Sequence, residues 1–124
     1  MRSRRRSRRW RNVRRAAFLF GPSTYFQVIA AKLIALAARY RIPAAYEWPE
    51  FVAAGGLMSY STKRGEGGPL MGDYVGRILK GAAPADLPVV QSSRFELAIN
   101  FKTARELGLM IPHSVLARAD KVIE

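Results

Sequence analysis

The sequence predicts an α/β fold, a layer of mostly parallel strands flanked by helices. Three observations predict it. Hydrophobic residues make up 49% of 124, enough for one core, while the chain is too short for two lobes of ordinary size. Short apolar or alternating runs bounded by Gly or Pro are interleaved with segments of helical period. Their order is strand, helix, strand, turn, strand, helix, as in parallel strands joined by crossovers.

Residues 16–20 are an apolar run ending at Gly21-Pro22, a buried strand opening into a loop. Residues 26–40 read as the clearest helix. Phe26, Ile29, Leu33, Leu36 and Tyr40 recur at spacings of three and four, with Gln27, Lys32 and Arg39 elsewhere on the wheel. Ser23 or Thr24 caps its start, Arg39 and Arg41 suit the dipole at its end, and Pro43 stops it. Residues 42–48 are a second strand. A helical turn over 49–54 follows, with Pro49 in its first position, and Gly55-Gly56 breaks it. Residues 57–60 are a third strand and 61–69 (STKRGEGGP) a polar, glycine-rich loop.

A helix over 70–80 carries Gly72 and Gly76, each costing about 1 kcal/mol relative to alanine, and Gly81 caps it. After a turn at 84–88, Val89-Val90 and residues 95–101 are strands. The second alternates Phe95, Leu97, Ile99 and Phe101 against Glu96 and Asn100. Residues 102–107 form a short helix closed by Gly108. Residues 112–123 form a last helix, with Leu116, Ala119 and Ile123 on one face.

The net charge of +12 is unevenly placed. Residues 1–15 (MRSRRRSRRWRNVRR) hold nine arginines and no acid; the rest of the chain has twelve basic and nine acidic residues, a balance of only +3. So polar a run buries too little apolar surface to offset its ordering entropy. It is expected to be a disordered basic leader, with the folded unit at 16–124. Residues 2–15 suit nonspecific binding of nucleic acid or anionic lipid by counterion release, with Trp10 adding stacking. A small basic nucleic-acid-binding protein is therefore one functional reading.

The chemistry-bearing residues do not assemble an enzyme. There is no cysteine, and the single histidine, His113, has no carboxylate cluster around it to make a metal site or to serve as a nucleophile's base. Gly65, Gly67 and Gly68 lack the Lys-Ser or Lys-Thr of a phosphate loop. No catalytic residue, metal or cofactor is assigned. No run approaches the roughly 20 apolar residues of a transmembrane helix.

Three blocks carry a family resemblance: AARYRIPAAYEWPEFVAAGGLMSY (37–60), DYVGRILKGAAPADLPVVQ (73–91) and FELAINFKTARELGLMIPHSVLARADKVIE (95–124). In content, order and spacing they resemble the C-terminal portion of ABC transporter solute-binding proteins of the tryptophan/tyrosine type. The resemblance implies a partial lobe of the type I periplasmic-binding-protein fold, in which two α/β lobes joined by crossing strands close on a small solute. It implies an ABC permease as partner and the periplasm as location, whereas the chain as written, without a convincing signal peptide, would stay in the cytoplasm. The leader, the length and the 61–69 loop depart from the family pattern. A fragment of an importer's binding component, taking an amino acid or small carboxylate, is the leading reading, and a truncated product without activity is the third.

Ligands of α/β layers sit beyond the carboxyl ends of parallel strands, where loops and helix N-termini are exposed. That rule selects Ser23 and Thr24, whose backbone N–H groups suit an anion; Tyr46, Trp48 and Tyr60 as aromatic walls; Glu47 for an ammonium; and Ser59 at the cleft edge. Trp48 before Pro49 reads equally as a packing anchor, and Glu47 as the partner of a nearby arginine.

Overall fold

The structure, a computed structural model, describes residues 16–65 and 67–124. The expected leader, and with it the nucleic-acid and lipid reading of residues 2–15, lies outside the described residues.

In chain order the elements are β1 (Phe18–Leu19), α1 (Thr24–Val28), α2 (Ala30–Arg39), β2 (Ala44–Tyr46), α3 (Pro49–Ala53), β3 (Met58–Thr62), α4 (Gly67–Leu79), β4 (Phe95–Asn100), α5 (Phe101–Glu106), α6 (His113–Leu116) and β5 (Lys121–Ile123), with a 3-10 turn at Pro84–Asp86 before β4. The sheet runs β1-β2-β3-β4-β5. β1 with β2, β2 with β3 and β4 with β5 are parallel; only β3 with β4 is antiparallel. The mostly parallel α/β layer is as the sequence predicts.

The helix expected over 26–40 starts two residues earlier and is interrupted at Ile29, yet its hydrogen bonds continue across the break, from the Ile29 N–H to the Tyr25 carbonyl and from the Leu33 N–H to the Ile29 carbonyl. Its inward face is also rotated from the expected one. Ile34 is the buried residue, with Ala30 and Ala37 packed beside it, while Leu36 and Tyr40 face solvent. Small alanines let the helix approach the sheet closely, and that decides which stripe goes in.

An aromatic column fills the core between this helix and the sheet. Phe20 meets Phe26 edge-on, stacks on Tyr46 with centroids 5.4 Å apart, and Tyr46 stacks in turn on Phe51 at 5.2 Å. Gly55 (φ 107) ends α3 in a left-handed cap. Its N–H bonds the Val52 carbonyl and that of Gly56 bonds the Phe51 carbonyl. Gly56 admits no side chain, since a Cβ there would stand 2.7 Å from the Tyr46 ring.

Three elements differ from expectation. The strand at 16–20, expected to be buried, is the exposed end strand β1, where Phe18 and Leu19 are 39% and 81% exposed because only β2 flanks it among the described residues. Val89-Val90 is irregular and exposed, and no strand among the described residues pairs with it. Residues 112–123 do not form one helix. After the single turn of α6 the chain enters β5, where Lys121, Val122 and Ile123 pair with Ala98, Ile99 and Asn100. Asp120 makes the join: its carboxylate accepts the Leu97 N–H at 2.8 Å and its own N–H donates to the Leu97 carbonyl at 2.9 Å. The open edge of β4 has unpaired backbone groups, and satisfying them outweighs the weak helical spacing of Leu116, Ala119 and Ile123.

The segment 67–94 does not join the lobe. None of α4 is buried, and the helix has no extensive contact with another element. It folds back on its own return segment, with the Tyr74 hydroxyl donating to the Pro88 carbonyl. The lobe proper is therefore built from residues 16–65 and 95–124, with 67–94 as an arm.

Candidate functional site

Because β1, β2 and β3 are parallel, their carboxyl ends share one edge of the sheet. Three loops meet there: 20–24, 47–48 and 63–65. β4 runs the other way, so its beginning lies at the same edge, where the Lys63 N–H donates to the Arg94 carbonyl at 3.0 Å. Topology thus gathers the segments selected from the sequence on one rim.

The individual residues divide. Ser23 is the half-buried cap position of α1, in extended conformation and with no side-chain capping bond; Thr24 opens the helix and is exposed. Glu47 is half-buried and, among the described residues, has no ion-pair partner; the nearby Arg64 pairs instead with Glu50 at 3.1 Å. Tyr46 is 2% exposed, and both ring faces are taken by Phe20 and Phe51. It is a core ring and supports the rim from beneath instead of walling a ligand. Burial pushes its hydroxyl above the ordinary pKa of 10.0, so it stays neutral at physiological pH.

Tyr60 departs from Ser59 for a simple reason. Successive strand residues point to opposite faces. Ser59 pairs with Tyr46 and Ala98 on the face covered by α2 and α3 and is fully buried. Tyr60 points the other way, is more than half exposed, and stacks on Phe95 with centroids 5.3 Å apart.

Ser61 and Arg64 enter from the structure. Ser61 lies two residues beyond Ser59 and so shares its face, as Trp48 lies two beyond Tyr46. The Trp48 Nε1, the Ser59 Oγ and the Ser61 Oγ are all buried without a hydrogen-bond partner among the described residues. A buried polar atom left unpaired costs about 1–3 kcal/mol, and three on adjoining strand ends are uncommon in a folded core. Arg64 lays its guanidinium over the Trp48 ring, 4.2 Å from the centroid. The indole N–H only donates, the two hydroxyls donate or accept, and the guanidinium is a cation. Such a donor-rich set suits a carboxylate. The alternation of Ser59 and Ser61 along β3 was the available signal for Ser61; Arg64, within a segment read as loop, offered none.

Residues 11–123 match the family described as ABC transporter substrate binding protein. The match begins within the arginine-rich run, upstream of Phe26, and passes through 61–69, where the resemblance alone implied a departure. No curated protein matches. Among solved structures, an ABC domain in complex with L-Trp from Streptococcus pneumoniae is 32% identical, with a TM-score of 0.75 over 86% of this chain and 37% of that one. A conserved domain protein from Vibrio cholerae is 28% identical, with a TM-score of 0.73 over 85% of this chain and 35% of that one. A ligand-free, open substrate-binding protein with adhesive properties from Clostridium difficile shares the fold at 19% identity and a TM-score of 0.59, over 85% of this chain and 35% of its own. The chain thus spans little more than a third of the length of these structures.

Proposed function

The chain belongs to the ABC transporter substrate-binding protein family, and from that premise we propose that it supplies one solute-recognising wall of an importer's binding component. The solute is an amino acid or another small carboxylate-bearing molecule, held at the rim where β1, β2 and β3 end. A single observation carries this reading: the unpartnered Trp48 Nε1, Ser59 Oγ and Ser61 Oγ on adjoining strand ends, beside the Arg64 cation. A bound carboxylate would satisfy these donors. The structurally similar Streptococcus pneumoniae domain in complex with L-Trp supports an amino acid as the ligand class. In this reading Ser23 and Thr24 lend backbone N–H groups to the rim, and Glu47 is the carboxylate available for an ammonium. Tyr60, on the opposite sheet face, borders the rim from outside.

The role is capture and release, without bond making, and delivery to an ABC permease at the outer face of the membrane. Among the described residues, no helix is long and apolar enough to cross a membrane. One wall alone offers only part of the contact area that offsets association entropy, so binding by this chain is weak, with a dissociation constant on the order of 1 mM.

The reading is tested by nuclear magnetic resonance on the labelled chain, titrated with amino acids, L-Trp included, and with small carboxylates. Shifts are expected at the Trp48 indole N–H and at the amides of Ser59 and Ser61. Trp48→Phe, which keeps the ring and removes the donor, should weaken binding about fivefold. Silence at these positions with every solute at tens of millimolar would sink the proposal.

A further inference from the structure

The Arg64 guanidinium makes two contacts at once. It lies 4.2 Å from the centroid of the Trp48 ring, and its Nη1 pairs with the Glu50 Oε1 at 3.1 Å. Trp48 and Glu50 flank Pro49 at the start of α3, so one short stretch, with its central φ fixed by the proline, presents both the ring and the carboxylate. Arg64 comes from the turn beyond β3 and bridges them. The Arg64 and Glu50 side chains are both more than half exposed, so the bridge covers the ring from the solvent side. Inward, the same ring packs against the core cluster of Ile34, Ala44, Tyr46 and Phe51.

An indole face closed in this way is not free for stacking. An aromatic solute would gain affinity by laying its ring on that face, and must first lift the guanidinium away. The donors of the rim are reached differently. The Trp48 Nε1 lies at the edge of the indole, and the Ser59 and Ser61 hydroxyls lie on the adjoining strand. A carboxylate uses the edge and leaves the face covered, so a solute with an aliphatic side chain binds with Arg64 in place. The pair with Glu50 sets how firmly the cover is held. Exposed ion pairs are weak, and a cation over an exposed ring contributes a comparable amount, so the two contacts restrain Arg64 without locking it. Glu50 also competes with an incoming carboxylate for the same cation.

We infer that Arg64, tethered by Glu50, determines the specificity of the rim: by covering the Trp48 ring it selects aliphatic over aromatic carboxylate solutes, while Glu50 restrains the affinity for both. The inference rests on the carboxylate-binding reading of the rim and adds which side chain that solute carries. L-Trp, the molecule in complex with the structurally similar Streptococcus pneumoniae domain, is therefore a poor solute for this chain.

Titration of the 124-residue chain with L-leucine and L-tryptophan, followed by nuclear magnetic resonance, tests it. The two share an ammonium and a carboxylate and differ only in the side chain. Read at the Ser59 and Ser61 amides and the Trp48 indole N–H, L-leucine should bind about fivefold more tightly. Arg64→Ala should weaken L-leucine and bring the ratio of the two dissociation constants to within about twofold of unity. The ratio cancels the loss of charge, which both solutes share. Glu50→Gln frees the cation and should tighten L-leucine about threefold, a gain that a merely structural role would not produce. Both side chains are exposed, and unchanged amide shifts in β4 and β5 verify that each variant folds. Equal affinities in the parent chain, a ratio that Arg64→Ala leaves in place, or no gain from Glu50→Gln would overturn this inference and leave the carboxylate site standing. Absence of shifts with either solute would instead be the failure of that site, and the selectivity falls with it.

Discussion

Arg41 is the one non-glycine residue with positive φ among those described, at 51°. It occupies the left-handed cap of α2, where the Ile42 N–H bonds the Ala37 carbonyl and its own N–H the Ala38 carbonyl. A left-handed L-residue costs about 1–2 kcal/mol, part of which glycine returns through the greater freedom of its unfolded chain. The side chain is exposed, so its removal disturbs no packing. Arg41→Gly should therefore raise stability by about 0.5–1 kcal/mol in urea denaturation. An unchanged or lowered midpoint would mean that the arginine side chain contributes what the backbone loses. Single residues also divide the candidate site, since one step along β3 sends Ser59 to a covered face and Tyr60 to an open one.

At the scale of elements, Asn100 ties three of them together. Its N–H bonds the Leu57 carbonyl, its Oδ1 accepts the Thr103 N–H at the start of α5, and its Nδ2 donates to the Val52 carbonyl of α3 at 3.1 Å. Thr103 completes the tie by donating its hydroxyl to the Gly55 carbonyl. Asn100→Ala loses the cap of α5 and one of the two hydrogen bonds to the Val52 carbonyl, which keeps the Gly55 N–H, so it should cost about 1–2 kcal/mol of unfolding free energy. Asn100→Asp should not rescue it, because a carboxylate cannot donate to Val52; full recovery by Asp would reduce the residue to a helix cap. Elements with local signals were legible in the sequence. Pro49 opens α3, Gly55-Gly56 closes it, and the alternation of residues 95–100 marks β4. β5 was not legible, because Lys121–Ile123 becomes a strand only through the unpaired edge of β4, and a non-local partner leaves no trace in local spacing. The rotated face of α2 was missed for a related reason: its alanines count as weak apolar signals yet permit the closest packing. For the candidate site, strand polarity located the rim, while the orphaned polar atoms depended on pairing register that the sequence does not state.

For the whole molecule, the division between lobe and arm makes a prediction that concerns neither ligand nor partner. Replacing residues 64–93 by an Asn-Gly turn joins the already bonded Lys63 and Arg94 and converts the crossing into a hairpin. The lobe retains its aromatic column, its sheet and the Asn100 tie, so it should unfold cooperatively and be more stable than the full chain by about 2 kcal/mol, since each halving of the connection lowers its closure cost by roughly 0.6 kcal/mol. Collapse of the shortened chain into an unfolded ensemble would show that the arm supports the lobe after all. The paired exit of β3 and β4 has a mechanical consequence. Two strands laced by backbone hydrogen bonds resist sliding but can twist together, so the ribbon acts as a torsion spring between the two parts. Rotation about it would carry the arm along an arc set by residues 60–63 and 94–97, leaving the rim loops 20–24 and 47–48 unstrained.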